Sequence, residues 1–390
     1  MIHPDRKKAR KLDTPYRCRE FTDVVYGGQI EEGHKKMYNA QRKEYPEVPE
    51  YNVYFGDIHG HTNLSDGVVD IDTYFMNLRD KAKLDFGALS DHDHGGVGRN
   101  ELRGEKWEIT KEKTRQYNEP NKFTTILAYE RDSYPWYNNL VVYYNNYDGQ
   151  MIDDVRDGEL TEEKLKECLN REDLILVPHE TQTIQSGCDF NTIPLENMPP
   201  LIQLCSRGYH SEKFDENNML TSQCEGGYWQ DALKRGAKMG CIGCTDDHRG
   251  NCGIILEDQP YPNNFPALTG VWAKENTLSE IFSAIKNRRC FAFMGGRMTI
   301  DFRINGHYMG EEFVCLGDRS IYFNVTADEE IESITVVKNC RDYIYFKKTN
   351  ETMFYDYKPE NDTDYYYLRV KLKDGRMGWT SPIWVKKTAE

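Results

Sequence analysis

Ten histidines occur in 390 residues. Seven of them, His59, His61, His92, His94, His179, His210 and His248, lie in or close to short segments that end apolar runs. Four such segments read VYFGDIHGHTNLSDG (53–67), FGALSDHDH (86–94), LILVPHE (174–180) and CIGCTDDHRG (241–250). Imidazole and carboxylate together suit zinc, manganese or iron. A lone histidine beside an apolar run is ordinarily a hydrogen-bonded core residue, but a set repeated at the ends of several runs is what a metallohydrolase needs. Bound metals lower the pKa of a water toward neutrality, so that hydroxide can attack, and they neutralise charge in the transition state.

Hydrolysis also requires a proton for the leaving group and a cation for an anionic substrate. His210, Asp247 and His94 are candidate general acids. A regular strand would turn Asp247 away from Asp246 and His248. Arg207 and Arg249 stand beside the motifs and could grip a phosphate with two N–H groups each; an ion pair to a nearby carboxylate is their plainer role. Asp91 and Asp93 could orient the histidines from behind. Tyr134, Trp136, Tyr137 and Tyr209 could pack a leaving group. Serine nucleophiles, P-loops and dinucleotide sites find no support, since the chain has no GxSxG, no GxxxxGK[ST] and no GxGxxG.

Elements must bring these groups together. Residues i and i+2 of a strand face the same way, so His59 pairs with His61, His92 with His94, and Asp246 with His248. Apolar runs at 53–59, 85–91, 124–130, 139–145, 174–178, 201–206, 239–245 and 289–294 predict strands. Helical spacing at 71–83, 104–118, 160–170, 227–236 and 277–288 predicts helices between them. Thr277 with Glu280 suggests a capping box. Strand–helix alternation indicates an α/β fold with a parallel sheet or barrel. The C-terminal strand ends of a barrel converge on one rim, and there Glu130, ending TTILAYE, would meet His179. Residues 297–390 instead alternate apolar and polar positions and predict a small antiparallel β-sandwich. Residues 1–50 are polar and irregular, and read as an arm over the main domain with a short helix near 31–42.

The net charge of −14 makes duplex nucleic acid an unsuitable partner, while a small anion could still bind where metals invert the local field. No run of about 18 apolar residues exists to span a membrane, and no apolar segment follows the basic N-terminus as in a secretory signal. Eleven cysteines without such a signal point to reduced thiols in the cytoplasm. Cys241, Cys244 and Cys252 lack a second CxxC to complete a structural zinc site.

In order along the chain, HGHTNLSDG, LSDHDH, AYE, VPHE and TDDHRG resemble the motifs of the PHP (polymerase and histidinol phosphatase) superfamily. The stretch LTGVWAKENTLSEIFSAIKNRRCFAFMGG and the ending YYYLRVKLKDGRMGWTSPIWV further resemble its carbaryl-hydrolase-like branch of metal-dependent phosphoesterases. The resemblance covers roughly residues 51–390. It implies an α/β fold made of a distorted (β/α)7 barrel over 51–296, followed by an immunoglobulin-like β-sandwich over 297–390, and two or three divalent metal ions (Zn, Mn or Fe). One site would use His59, His61, Glu130 and Asp246. A second would share Glu130 and add His179, and a third would take Asp66, His92 and His248. Many members supply a further histidine after the Glu130 strand, where this chain has Trp136-Tyr137-Asn138-Asn139. Asp66 stands where several members have histidine, and Gln203 where the branch usually has an acid. The expected activity is hydrolysis of a small phosphoester by metal-activated hydroxide. The alternatives are a carboxylic or carbamate ester substrate at the same site, and a degenerate domain that binds metal or ligand without turnover.

Overall fold

The computed structural model describes residues 24–26, 50–93, 102–132, 136–137, 139–152, 161–183, 187–214, 223–260 and 262–387. After a short β1 (Val24–Tyr26), three strands run parallel side by side: β2 (Asn52–Asp57), β3 (Phe86–Leu89) and β4 (Thr124–Asp132). Helix α1 (Ile71–Met76), prolonged by a π-turn over Asn77–Lys81, connects the first two. Helix α2 (Glu105–Tyr117) connects the second pair. These are the crossovers that parallel strands require.

Beyond β4 the expected parallel order fails. β5 (Asn139–Tyr144) pairs antiparallel with β4, and β6 (Leu174–Pro178) antiparallel with β5. The link 133–138 is far shorter than the dozen residues a parallel crossover takes, so β4 and β5 form a hairpin. Helix α3 (Glu162–Leu169) precedes β6 and is N-capped by the Thr161 hydroxyl. A separate three-stranded sheet holds β7 (Leu201–Ser206), β8 (Tyr209–His210) and, after helix α4 (Trp229–Lys234), β9 (Gly240–Gly243). β7 and β9 are parallel. β10 (Ala267–Ala273) then returns antiparallel to β2, and helix α5 (Leu278–Lys286) leads to β11 (Cys290–Met294). Thr277 caps α5 by position only: no side-chain cap bond forms, and Glu280 accepts from the Lys274 N–H at 3.3 Å instead. Among the described residues the strands therefore pair with parallel and antiparallel stretches where parallel order throughout was expected.

The remaining strands are β12 (Met298–Ile304), β13 (His307–Tyr308), β14 (Glu312–Val314), β15 (Arg319–Ala327), β16 (Ile331–Lys338), β17 (Arg341–Lys347), β18 (Glu351–Asp356), β19 (Thr363–Leu372), β20 (Met377–Thr380) and β21 (Ile383–Lys386). β13-β12-β15-β18 make one antiparallel layer. Its Ile300, Phe302, Phe323 and Val325 share an apolar core with Ile334, Val336, Leu368 and Val370 of the layer opposite. That second layer does not stop at its own edge. β20 pairs with β11, Phe291 opposite Thr380 and Phe293 opposite Gly378, so one sheet continues in the order β1-β17-β16-β19-β20-β11-β10-β2-β3-β4-β5-β6. Of the expected N-terminal arm, β1 adds to the edge of β17; the helix expected near 31–42 lies outside the described residues.

Candidate metal centre

The ligand-bearing segments continue past their strand ends and stay in register. Asp246 N–H donates to the His59 carbonyl (3.0 Å) and His61 N–H to the Asp247 carbonyl (3.0 Å). Ser90 N–H donates to Gly60, Glu130 N–H to Asp91 and Asp93 N–H to Glu130, at 3.0, 3.0 and 2.8 Å. The extensions of β9, β2, β3 and β4 thus lie side by side, and residues far apart in sequence reach one rim. Gly60, between the two histidines, admits no side chain, because a Cβ there would sit 2.4 Å from Cys252 Sγ and 2.7 Å from the Tyr74 hydroxyl. Asp246 holds a left-handed backbone (φ 54°), a conformation aspartate tolerates better than most residues.

Two groups of side chains result. In the first, His59 Nε2 lies 3.0 Å from Glu130 Oε2 and 3.3 Å from Asp246 Oδ1, while His61 Nε2 lies 3.2 and 3.0 Å from the same two oxygens. In the second, Asp66 Oδ1 faces His248 Nε2 at 3.3 Å, His92 Nε2 at 3.6 Å and His61 Nδ1 at 3.8 Å. The His61 ring stacks against both His92 (4.4 Å) and His248 (4.1 Å), whose own ring centres are 6.1 Å apart. Within each group the ligand atoms lie within 4.8 Å of one another. Atoms bound about 2 Å from a common ion can be at most about 4 Å apart, so small inward movements suffice. His61 belongs to both groups, but a neutral imidazole has one lone pair to give. Its shorter contacts assign Nε2 to the first group and leave Asp66, His92 and His248 as the second.

The site's electrostatics fit a cation. Burial alone would lower the pKa of His59 and His61, yet Asp246 and Glu130 outweigh it and hold both imidazoles above their usual range. Burial would raise Glu130 and Asp246; the surrounding imidazoles, His179 foremost for Glu130 and His59 for Asp246, hold both below the usual carboxylate range. Burial and the charge of His61 lower His248, which suits a neutral ligand. The buried Nδ1 atoms of His61 and His179 have no hydrogen-bond partner. Gln203 Oε1 meets His59 Nδ1 at 2.7 Å, while its amide donates to the Cys244 carbonyl at 3.5 Å. Nδ1 therefore carries the proton, and the lone pair of Nε2 faces two carboxylates at close range. That arrangement is repulsive unless a proton or a metal ion lies between them.

The sign of a pH dependence follows. A histidine raised on folding stabilises the fold fully below its unfolded value of 6.5, and that contribution disappears as pH rises through the raised value. The lowered carboxylates contribute above their unfolded values, 4.5 for Glu130 and 3.8 for Asp246, and are lost only in strong acid. Metal-free protein is expected to melt at progressively lower temperature as pH rises above 6.5 and through the raised imidazole values. Metal-loaded protein is expected to show the opposite trend, because metal displaces the imidazole protons. Parallel curves with and without chelator would contradict this account.

Several expected roles are redistributed. His179 Nε2 reaches Glu130 Oε1 at 3.0 Å, but no group of three or more ligands surrounds this pair among the described residues. Asn139 is half-buried at the start of β5, paired with Asp132 of β4. Trp136 packs on the apolar core, and the buried Tyr137 donates to the Asn197 carbonyl. Asp247 Oδ1 accepts the N–H groups of Arg249 and Asn251, both at 2.7 Å, so this carboxylate shapes the turn instead of serving as an acid. The Arg207 guanidinium donates to the carbonyls of Asn251, Ile254 and Asn263 and so fastens that loop. His210 turns to Trp379, away from the ligands, since its strand neighbour Tyr209 occupies the other face. Asp91 accepts from Thr62 and Ser65, fixing the loop after His61 instead of orienting a histidine ring. Asp93 pairs with Arg131 at 3.0 Å in the interior. Arg249 is exposed beside His248 and forms no ion pair among the described residues. His94 and Tyr134 lie outside the described residues.

Two supporting residues were not anticipated. Gln203 is one; the other is Asp57, which accepts from Thr245 N (3.1 Å), Thr245 Oγ1 (2.6 Å) and Gly253 N (2.9 Å) and ties β2 to the residue before Asp246. Burial pushes its carboxyl up to about 6, against the lowering effect of the Thr245 contacts. A polar residue inside an apolar strand is the available signal, because burying it is costly unless it is bonded. Gln203→Leu leaves His59 free to rotate, and metal affinity is expected to fall about 10–100-fold. Isothermal titration with Mn²⁺ measures this, and an unchanged affinity would remove Gln203 from the centre.

Comparison with known proteins adds little about chemistry. A family described as "Protein of unknown function (DUF3604)" matches residues 255–314, a stretch that contains none of the candidate ligands. An uncharacterized protein of Chlamydia pneumoniae is 23% identical over 365 residues, covering 86% of this chain. Another, of Chlamydia muridarum, is 24% identical over 375 residues, covering 85%. The chain spans 57% of the length of each relative. Among solved structures, a two-domain protein from Bacteroides vulgatus containing a predicted PHP-like metal-dependent phosphoesterase matches 88% of this chain and 99% of its own, at 14% identity and TM-score 0.42. Fibronectin(III)-like modules of Clostridium thermocellum CbhA match 24% of the chain and 99% of their own, at 15% identity and TM-score 0.20. Likeness at this level carries no argument about activity. No helix of the described residues is long and apolar enough to cross a membrane.

Proposed function

We propose that this chain is a metal-dependent hydrolase of the PHP type, in the carbaryl-hydrolase-like branch, acting on a small phosphoester. The observation that supports it most is the convergence of His59, His61, Glu130 and Asp246 with Asp66, His92 and His248 around one stacked imidazole. Divalent ions held there would activate a water and polarise the scissile bond. Glu130 presents one oxygen to His59 and His61 and the other to His179 and His92, so it would help hold metal from the first group while meeting the neighbouring imidazoles. Asp66, Glu130 and Asp246 bring three negative charges, so two divalent ions would leave the centre net positive and receptive to an anion. Arg249 is the arginine still available to hold that anion, and His94 is retained as candidate acid.

The same reading takes 51–296 as a distorted seven-stranded barrel domain, 297–390 as an immunoglobulin-like β-sandwich, 1–50 as an arm, and the cytoplasm as the location. A domain that binds without turnover is the second reading. Its support is the missing histidine near Asn139, and the two groups of closely set imidazoles and carboxylates weigh against it. The test is metal content of purified protein, then hydrolysis of phosphomonoesters, phosphodiesters and aryl esters with added Mn²⁺ or Zn²⁺. Turnover of aryl esters alone would move the reading to the carboxylic or carbamate ester alternative. Fewer than two metals per chain with no turnover would favour the binding domain.

A further inference from the structure

Tyr209 and His210 are adjacent on β8, so their side chains leave opposite faces of the strand. His210 goes to Trp379, with ring centres 4.9 Å apart. Tyr209 goes the other way, and its hydroxyl donates to Glu180 Oε1 at 3.3 Å. Burial and the charges of Glu180 and Asp246 push this phenol well above its ordinary range, so it stays a donor. Both Tyr209 and Glu180 are only half-buried and remain within a ligand's reach.

The residues on either side of Tyr209 are themselves fixed. Glu180 directly follows His179 and keeps a left-handed backbone (φ 51°), its carbonyl accepting from Thr183 N and Oγ1 at 3.0 Å each. Non-glycine residues hold such conformations only where the surroundings impose them, often at functional sites. On the other side, Ser206, paired with Tyr209 across the β7–β8 turn, donates its hydroxyl to the carbonyl of Thr245, the residue before Asp246. Two residues beyond His210, Glu212 is anchored by Tyr367, Arg369 and Trp379. Tyr209 therefore stands between the ends of β6 and β9, the segments that deliver His179 and Asp246.

We propose that Tyr209 is a substrate-binding residue: its hydroxyl donates a hydrogen bond to an oxygen of the tetrahedral anion at the metal centre, and Glu180 is the acceptor on which it rests in the free protein. This rests on the reading of the chain as a metal-dependent phosphoester hydrolase. The test compares Mn²⁺-loaded wild type with Tyr209→Phe for metal content, affinity for inorganic phosphate by calorimetry, and hydrolysis of p-nitrophenyl phosphate and bis(p-nitrophenyl) phosphate. The variant is expected to keep its metal, to bind phosphate about tenfold more weakly and to lose about 10–100-fold in kcat/KM. Glu180→Asn, which tolerates the left-handed backbone but is too short to reach the hydroxyl, is expected to keep or tighten phosphate binding. Unchanged phosphate affinity and kcat/KM in Tyr209→Phe would overturn the assignment while leaving the hydrolase reading intact. A loss in Glu180→Asn equal to that in Tyr209→Phe would overturn it too, by making the pair structural. Metal-loaded wild type that neither binds phosphate nor hydrolyses either ester would bring down the hydrolase reading, and the assignment with it.

Discussion

Asp246→Asn is expected to lose metal and hydrolysis together while the fold survives. The carboxylate lies 3.0 Å from His61 Nε2, 3.3 Å from His59 Nε2 and 3.8 Å from His179 Nδ1, so one side chain serves three imidazoles. Asparagine keeps the left-handed backbone found at this position, so the substitution removes charge without adding the strain alanine would bring. Loss of a group that merely supports a ligand costs about 10–100-fold in metal affinity, and loss of a ligand should exceed that. Activity is expected to fall by about a thousandfold or more. Metal analysis and thermal melting of the same preparation check the result. Full metal occupancy in the variant would sink the assignment of the centre.

Glu212→Leu is expected to give the largest loss of stability. This buried carboxylate accepts from Arg369 Nε and Nη2 at 2.7 and 2.5 Å, from the Tyr367 hydroxyl at 2.6 Å and from Trp379 Nε1 at 2.9 Å. Removing it leaves the guanidinium of Arg369, which is 11% exposed, with the exposed Asp342 at 2.9 Å as its remaining ion-pair partner among the described residues, and breaking such a buried pair costs about 3–5 kcal/mol. The urea midpoint should drop accordingly, and adding Arg369→Met should recover part of the loss, since two apolar partners leave no charge uncompensated. A midpoint equal to wild type in the single variant would show that the joint is not stabilised through this carboxylate.

That these candidate side chains would gather at one place was legible in the sequence from the strand ends they occupy. His59 with His61, and Asp246 with His248, meet at the rim through backbone bonds that continue β2 and β9. Strand direction was not legible: LVVYY in β5 has the same apolar character whichever way it runs, and the short link before it made the hairpin. Nor was the fate of Arg207 and Asp247. Each stands beside a motif, but the partners that claim them are backbone groups of the 249–263 turn, set by tertiary packing. Gln203 was passed over because an uncharged residue offers no chemistry until His59 Nδ1 is found 2.7 Å away.

The pairing of β11 with β20 means that the two parts of the chain are not interchangeable cassettes. Separation near residue 296 would expose the edge of β11 on one fragment and the edge of β20 on the other, each a row of unpaired N–H and C=O groups that invites aggregation. Trp379, on β20 itself, would be lost from His210 at the same cut. In an evolving lineage such a seam forbids shuffling: the C-terminal part can change partners only if the strand it presents, and the side chains that strand carries to β8, change with it.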